Sequence, residues 1–315
     1  MSRLSTKWAA VAMMVGVVGN GGGFAMAQDE PPHILGRGVG RFEVGKLLEE
    51  ESFEDLERWA VQVEAKEGAA EAKISVDRGS LDCYVPGRGC TIWFRRLMST
   101  RVAICYDVVC PTPEKSGPGM MPRDLNHFWM ATDPEGPAEG LFDSDRYDGS
   151  FGSYDKMRGY YASTGGGRNT TTRMRRYPRE IDGRFSDHIA LKARDGQPEF
   201  LIIPDRVMRV QLVAYDDLIQ YIVDGTLVYE MARGDTVSVE SRNPEGKAVA
   251  LKKHYDTEEI PFYQEGYFGF RMVGTHHVYS NFRVHELVPA KKRVEVDSIE
   301  QLRAVGRDSH QFVVM

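Results

Sequence analysis

The chain has 315 residues, a formal net charge of −6 and a sequence pI near 5.8. This acidic balance gives no overall electrostatic attraction for nucleic acid, so any affinity for an anionic ligand must come from a local cluster of basic residues. The length suits one large domain, because all-β sandwiches often run to about 200–250 residues as a single unit.

The first 27 residues have the features of a secretory signal peptide. Arg3 and Lys7 precede an apolar stretch at 8–18, and residues 25–27 (Ala-Met-Ala) have the small-x-small pattern of a cleavage site. The apolar stretch is shorter than the about 20 residues that span a bilayer, and no later segment is longer and equally apolar. We therefore expect a secreted or periplasmic protein that has no membrane association after cleavage.

Residues 28–44 are rich in Pro and Gly and are expected to form an exposed leader. From residue 45 the recurring unit is a strand of about five to nine residues followed by a turn, and amphipathic helical periodicity is scarce. The domain is expected to cover 45–288, with a polar tail at 289–315. The expected strands include 72–76, 91–94, 101–109, 188–191, 200–203, 207–215, 218–223, 225–229, 266–271 and 278–287.

Export changes how the four cysteines are interpreted, because an oxidising compartment permits disulfides. Cys83 and Cys90 flank a turn-rich insert at 84–89, so we expect a bond between them. Cys105 and Cys110 have an odd separation, which places them on opposite faces of a regular strand and leaves their partners open. No Cys-x-x-Cys pair or Cys/His cluster has metal-ligand spacing, so no metal site is expected.

A loop-rich insertion at 135–156 contains many Gly, Asp and aromatic residues. Loops of this length in a compact domain usually serve a function or are disordered. No cofactor is expected, and a structural Ca²⁺ bound by such acidic loops is left open because no diagnostic spacing is present.

Residues 160–177 are unusually dense in groups that bind sugars or anions. Two tyrosines lead into a glycine run, and a run of threonines leads into a segment with three arginines. Alternate residues of a strand share a face, so one face would carry Thr171, Arg173, Arg175 and Tyr177, and the other Thr172, Met174 and Arg176. The apolar Met174 indicates that the first set faces a ligand. The alternative is a solvated hairpin whose basic residues protect an edge strand.

The later strands resemble those of a known fold. Segments 207–213 and 218–229 are similar to the paired back-sheet strands of laminin-G and concanavalin-A-like proteins, with Asp224-Gly225 as the hairpin turn. Segments 266–271 and 281–284 resemble the closing strands of that fold. The resemblance covers roughly 45–288 and implies an all-β, concanavalin-A-like β-jelly-roll sandwich of two antiparallel sheets.

Residues 126–134 together with 160–161 and 165–177 resemble the YesU-like group of secreted bacterial proteins, which is linked to polysaccharide breakdown. Related jelly-roll families include polysaccharide lyases, which place an Arg, a Gln, Asn or His, and a Tyr on the concave sheet. The segments 160–161 and 173–177 loosely resemble the tyrosine-bearing and arginine-bearing strands of those enzymes. This chain lacks their Gln-Ile-His motif and the acidic residue between the arginines.

The lyase resemblance implies β-elimination at a uronic acid. Such a reaction needs a cation or amide to neutralise the carboxylate, a base to remove the C5 proton, and an acid to protonate the leaving oxygen. Neighbouring arginines are expected to lower the pKa of a tyrosine that serves in proton transfer. The expected catalytic residues are Tyr161, Tyr160, His127, Arg173 and Arg175, with His188 and His276 in reserve. The expected substrate-binding residues are Asn126, Asn169, Arg168, Thr171, Tyr177 and His276.

Each of these roles has a structural alternative. A single His beside aromatic residues, as at His127, is often a hydrogen-bonded core residue, and one of Tyr160 and Tyr161 is expected to point into the core. A glycoside hydrolase would need two carboxylates, for which Asp133, Asp143, Asp145 and Asp155 are the candidates. A non-catalytic carbohydrate-binding protein would also explain the pattern. The first hypothesis is a polysaccharide lyase that acts on an acidic, uronate-containing polysaccharide or oligosaccharide.

Overall fold

The computed structural model describes residues 30–117, 119–181, 184–189, 198–242, 248–254 and 261–291. The predicted signal peptide at 1–27 and residues 292–315 of the predicted tail lie outside this part of the chain, and so does the His188 side chain. None of the helices in the described residues has the length and apolarity needed to cross a membrane.

The described chain is built from antiparallel strands joined by short turns, with two four-residue helical turns, α1 (Pro113–Ser116) and α2 (Gly166–Asn169). Single 3₁₀ turns lie at Gly36–Gly38, Ala138–Phe142, Gly152–Tyr154 and Pro198–Phe200. The strands are β1 (Phe42–Glu51), β2 (Trp59–Val63), β3 (Lys73–Asp77), β4 (Ser80–Ser99), β5 (Val102–Val109), β6 (Leu125–Thr132), β7 (Arg158–Gly165), β8 (Thr171–Tyr177), β9 (Glu180–Ile181), β10 (Arg184–Ile189), β11 (Val207–Tyr215), β12 (Leu218–Val223), β13 (Thr226–Ala232), β14 (Thr236–Arg242), β15 (Ala248–His254) and β16 (Glu265–Pro289).

Strand β16 connects the two layers of the sandwich. Its first part pairs with β6, its later part pairs with β5 and β1, and β4 pairs with it from Glu265 to Tyr279. On one edge β6 gives way to β5 between Arg271 and Val278, while β4 stays paired on the other edge across Gly274, which has a φ of 56° and sits at a register shift. The strand order is β13-β12-β11-β5-β16-β6-β7-β8-β10-β14-β15, and the predicted all-β sandwich is confirmed.

The main core lies between the two layers and is rich in aromatic rings. Trp59 stacks on Phe270 at a centroid distance of 5.4 Å, and Phe270 stacks on Tyr279 at 3.9 Å. Burial of a large apolar side chain is worth about 1.5–3 kcal/mol, so this cluster is a major source of stability.

The predicted hairpin turn between β12 and β13 is present. Asp224 and Gly225 both have positive φ, and Val223 pairs with Thr226.

The insertion 135–156 is an ordered cover on the outer face of one layer. Leu141, Tyr147 and Tyr154 pack there in a second cluster with Trp93 and Phe128 of the sheet. The insertion begins beside Asp133, whose carboxylate accepts bonds from Arg146 and from the Tyr147 hydroxyl, the latter at 3.1 Å. Because these partners hold it and its side chain is buried, Asp133 has a structural role.

The predicted exposed leader is wrong for residues 32–35 and for Gly38, which are buried or half-buried, whereas Gly36 and Arg37 are exposed as expected. The Gln211 side-chain amide donates to the His33 carbonyl and accepts from the His33 N–H, both at 2.7 Å. Gln220 donates to the Leu35 carbonyl at 2.7 Å, and Leu35 is buried. Two glutamines on the face of the back layer that points away from the main core therefore supply the main-chain partners that this Pro- and Gly-rich segment does not obtain from a neighbouring strand.

The predicted bond between Cys83 and Cys90 is absent, and both thiols are free. Residues 84–89 do not reverse the chain, because β4 continues through them with a bulge opposite Val273–Thr275. The two cysteines are therefore spaced along one strand, where burial raises the pKa of the Cys90 thiol to about 12. Cys105 and Cys110 are also free.

One expected strand is not formed. Residues 201–203 are irregular and follow the 3₁₀ turn Pro198–Phe200.

Candidate functional site

A row of polar side chains crosses one layer of the sandwich from β2 to β8. Residues directly opposite each other in antiparallel strands share a face, so an unbroken series of cross-strand pairs defines the row. We call this series the polar row; its members are Gln62, Thr91, Arg271, Asn126, Ser163 and Arg173.

A parallel row two residues further along the strands is mostly apolar. It consists of Ala60, Trp93, Gly269, Phe128, Tyr161 and Arg175. The insertion packs over the β2, β4, β16 and β6 part of this surface through Trp93 and Phe128. The surface near β7 and β8 keeps a cavity, and Phe151 is the residue of the insertion that lines it.

This cavity has a volume of about 560 Å³ and contains three arginines. We call it the arginine pocket. Arg173 and Arg175 come from β8, Arg123 precedes β6, and Asp124 supplies a carboxylate. The lining residues are Arg123, Asp124, Asn126, Phe151, Tyr161, Ser163, Gly166, Gly167, Thr171, Arg173, Arg175 and Val273. The predicted parity of β8 holds here, because Thr171, Arg173 and Arg175 line the pocket while Met174 lies in the main core.

The turn between β7 and β8 forms the rim of the pocket. Gly165 and Gly167 have φ values of 76° and 58°, in the left-handed region that glycine adopts without strain. Asn169 follows in the same region, and its side chain donates to the Ile202 carbonyl at 3.0 Å and accepts from the Ile202 N–H at 2.9 Å. Asn169, predicted to bind substrate, is therefore a clamp between the rim and a neighbouring loop.

Arg175 packs against two aromatic rings that also contact each other, with their centres 6.3 Å apart. Its guanidinium carbon lies 5.2 Å from the centre of the Phe151 ring and 5.2 Å from that of Tyr161, which are cation–π distances. Phe151 also contacts Arg179, whose guanidinium carbon is 4.9 Å away and which donates to Asp155 at 2.8 Å. Asp155, a candidate for hydrolase chemistry, is thus the partner of a cation beside the pocket.

Tyr161 has a raised pKa, contrary to the expected lowering. Burial of its hydroxyl raises the pKa to about 12, and the Arg175 charge and a hydrogen bond with Ser163 only partly oppose this. In a buried site the loss of hydration outweighs one nearby cation. Tyr161 is therefore protonated at neutral pH and suits the donation of a proton better than its removal.

Asp124 is a site residue that the sequence reasoning did not identify. Burial raises the pKa of its carboxyl, while Arg123, with Nε at 3.4 Å, opposes this. The residue has a φ of 53°, and its N–H donates to the Gly165 carbonyl at 3.1 Å. In the sequence Asp124 lies between a Pro/Gly-rich loop and a strand, and this position alone does not indicate a binding or catalytic role.

His127 and Tyr160 do not reach the pocket, contrary to their predicted catalytic roles. They alternate with Asn126 and Tyr161 along β6 and β7, so they point into the sandwich. His127 Nδ1 lies 2.8 Å from the Tyr106 hydroxyl, and burial lowers the pKa of the imidazole to about 3. The Tyr160 hydroxyl accepts a bond from the Tyr263 N–H at 3.0 Å. Both have the structural role that was the alternative.

Three further predicted binding residues also lie outside the pocket lining. Arg168 is exposed on the rim turn. Tyr177 is fully buried against Phe128, whose ring centre is 5.5 Å away. His276 bridges Ser116 and Asp82 at 2.9 and 3.1 Å, and so ties α1 to β4.

The remaining acidic candidates are also placed away from the pocket lining. The Asp143 carboxylate accepts the N–H of Asp145 at 3.0 Å within the insertion, and Asp145 is exposed. Within the described ranges no group of three His, Cys, Asp or Glu side chains is arranged to hold a metal ion. The pocket lining therefore offers cations, one carboxylate, an amide and hydroxyl groups for ligand chemistry.

Comparison with known proteins supports the fold and gives no activity. The model of a domain of unknown function, DUF6250, matches residues 85–240. No curated protein matches the chain. A solved protein of unknown function with a galectin-like fold from Bacillus subtilis is 15% identical, with a TM-score of 0.53, covering 78% of this chain and 99% of that chain. This likeness agrees with the expected concanavalin-A-like sandwich.

Two more distant structures have names that refer to carbohydrate. The carbohydrate-binding module CBM66 from Bacillus subtilis is 12% identical, with a TM-score of 0.41, covering 74% of this chain and 98% of that chain. A laminarinase from Flavobacterium sp. UMI-01 is 13% identical, with a TM-score of 0.45, covering 76% of this chain and 100% of that chain. Likeness at this level assigns neither a ligand nor a reaction to the chain.

Proposed function

We propose that the protein binds an acidic saccharide in the arginine pocket, with the carboxylate of a uronate residue against Arg173 and Arg175. The observation that carries this proposal is the convergence of both arginines with Asn126, Ser163 and Tyr161 on one cavity. If residues 1–27 are the expected signal peptide, the protein meets this ligand outside the cytoplasm.

Arginine suits the proposed ligand because its planar guanidinium matches the two oxygens of a carboxylate. Arg175 packs against both Phe151 and Tyr161, and this packing restricts the directions its donors can take. A preoriented group loses less conformational entropy on binding. Asn126 and Ser163 then supply the amide and hydroxyl groups that sugar hydroxyls need as partners.

Cleavage by β-elimination is the second candidate function, favoured by the presence of Tyr161 and Asp124 in the same lining. Burial raises the pKa of both groups. In this mechanism Asp124 takes the C5 proton while the arginines neutralise the uronate carboxylate. The C4–O bond breaks as a C4=C5 double bond forms, and the Tyr161 hydroxyl protonates the departing glycosidic oxygen.

The pocket is less suited to hydrolysis, because a glycosidase uses two carboxylates that flank the bond. Asp124 is the one carboxylate in the described lining, and Asp133 and Asp155 are bound to arginines elsewhere. A binding protein without activity needs only the cations and the polar groups.

Purified protein should be titrated by calorimetry with pectin, ulvan, alginate and glucuronan, with the neutral glucan laminarin as control. Binding to at least one acidic polymer but not to laminarin is expected. Ultraviolet absorbance of an unsaturated uronate product would establish elimination, and reducing ends without absorbance would establish hydrolysis. Equal binding to laminarin, or no binding to any acidic polymer, would contradict the proposal.

A further inference from the structure

Arg271 is a buried cation, and in the part of the chain that the structure describes no carboxylate neutralises its charge by contact. Its side chain is fully buried at the centre of the polar row. Nη1 donates to the carbonyls of Gly149, Cys90 and Met272 at 2.9, 3.0 and 3.2 Å. Among the residues that the structure describes, Nε and Nη2 have no hydrogen-bond partner, and no acidic side chain forms an ion pair with this arginine.

Arg271 is adjacent to the arginine pocket on two sides. On β6 it pairs directly with Asn126, which lines the pocket. On the side of the insertion, its guanidinium carbon lies 5.7 Å from the centre of the Phe151 ring. The bond to the Gly149 carbonyl therefore connects the buried charge to the loop that carries Phe151.

The surrounding backbone leaves room for this guanidinium. A Cβ on Gly89 would lie 2.3 Å from the Gly149 carbonyl oxygen and 2.8 Å from both terminal nitrogens of Arg271. Glycine is thus required where β4 passes the side chain. The cover and the sheet are built closely around an arginine, although an apolar side chain of similar volume avoids the desolvation cost of a buried charge.

We infer that Arg271 is a positioning and specificity-determining residue of the arginine pocket. Its bond to Gly149 holds Phe151 against Arg175, and its charge favours anionic over neutral ligands. Charges that water does not screen act over longer distances than exposed charges. In agreement with this, the Arg271 charge opposes the rise in the pKa of Asp124, as Arg123 does.

This inference rests on the proposed function, and its test separates the two. Arg271→Met and Arg271→Lys are compared with wild type for binding of oligogalacturonate, oligoguluronate and oligoglucuronate. Arg271→Met should weaken binding about tenfold, which corresponds to about 1.4 kcal/mol. Arg271→Lys, which keeps the charge, should recover part of the loss. Arg101→Met, which removes an exposed cation paired with Asp216, should bind as wild type does.

A second measurement needs no saccharide. The titration of Asp124, followed by carboxyl NMR, should shift to higher pH in Arg271→Met and remain near the wild-type position in Arg271→Lys. Thermal unfolding shows whether Arg271→Met folds. If it does not, Arg271→Lys and Phe151→Leu are used instead. Phe151→Leu should weaken binding. An unchanged affinity and an unchanged Asp124 titration in a folded variant would overturn the inference. Failure of wild type to bind any of the three oligosaccharides would overturn the proposed function. The Asp124 titration would still test whether the Arg271 charge acts on the pocket.

Discussion

The guanidinium of Arg175 packs against Tyr161, with 5.2 Å between its central carbon and the centre of the ring. Phe151, from the insertion, lies at the same distance. One aromatic partner is its cross-strand neighbour on β7, and the other comes from the cover. Cation–π contacts are worth about 0.5–2 kcal/mol each, so two of them restrict the orientation of the group proposed to meet the ligand.

Tyr161→Phe tests the proton-donor role in the second candidate function. If the protein is a lyase, this change should lower the cleavage rate at least about 100-fold, which is the usual contribution of a positioned acid. Affinity should change little, because the ring stays against Arg175. Ultraviolet absorbance of the product measures the rate. Cleavage at the wild-type rate would remove Tyr161 from the mechanism.

The matched control is Tyr160→Phe, one residue away on the same strand. Its hydroxyl accepts the Tyr263 N–H inside the sandwich, so its removal leaves a donor without an acceptor. The free energy of unfolding should fall by about 1–2 kcal/mol, measured in urea, with cleavage retained. A large loss of activity in this folded variant would speak against the assignment of faces.

Asn169→Ala should destabilise the rim without removing a ligand contact. The change removes both bonds to Ile202 and places Ala in a left-handed conformation, so unfolding free energy should fall by about 1–3 kcal/mol. Thr170→Ala is the control, because its hydroxyl donates to the Gly167 carbonyl within the same exposed turn and not to another segment of the described chain. Urea unfolding compares the two. Equal stability of the two variants would show that the clamp contributes nothing.

Buried histidines should make the protein sensitive to mild acid. Burial lowers the pKa of His127 and His277 to about 3, whereas an unfolded histidine has a pKa of about 6.5. The unfolded state therefore binds more protons below pH 6.5, and stability is lost as the pH falls from there towards 3. Each histidine should contribute a loss of about 1.4 kcal/mol per pH unit.

The measurement is the free energy of unfolding in urea between pH 7.5 and about 5. The two histidines together contribute part of the change in unfolding free energy per pH unit. His127→Phe should remove about half of that part in this interval. Met174→Leu, which replaces one buried apolar side chain by another, serves as the control and should leave the slope unchanged. A slope that does not change in His127→Phe would contradict the burial of a neutral imidazole.

Strand alternation and turn chemistry were readable from the sequence. The faces of Thr171, Arg173 and Met174 follow from a period of two, and the Asp224-Gly225 hairpin follows from local conformational preference. The same period already separates Asn126 from His127, which are adjacent in β6. Placing both at one site was inconsistent with the strand, and the structure resolves this in favour of Asn126.

Sequence patterns could not predict that the insertion covers the polar row. This cover depends on contacts between the insertion and strands far away in the sequence, such as the bond from Arg271 to the Gly149 carbonyl. Asp124 and Arg271 have no local pattern that marks them, because their significance comes from burial. The direction of the Tyr161 pKa shift also depends on burial, which the identity of neighbouring residues does not give.

The most direct test of the account compares two arginines that are adjacent on β8 and face opposite ways. Arg175 lines the pocket, whereas Arg176 lies 4.3 Å from the Tyr263 ring centre and donates to the Pro261 carbonyl. Calorimetric titration with acidic oligosaccharides should show at least about a tenfold loss of affinity for Arg175→Met and a change within about twofold for Arg176→Met. Equal losses in both variants, or none in Arg175→Met, would contradict the proposal that this pocket binds the acidic ligand.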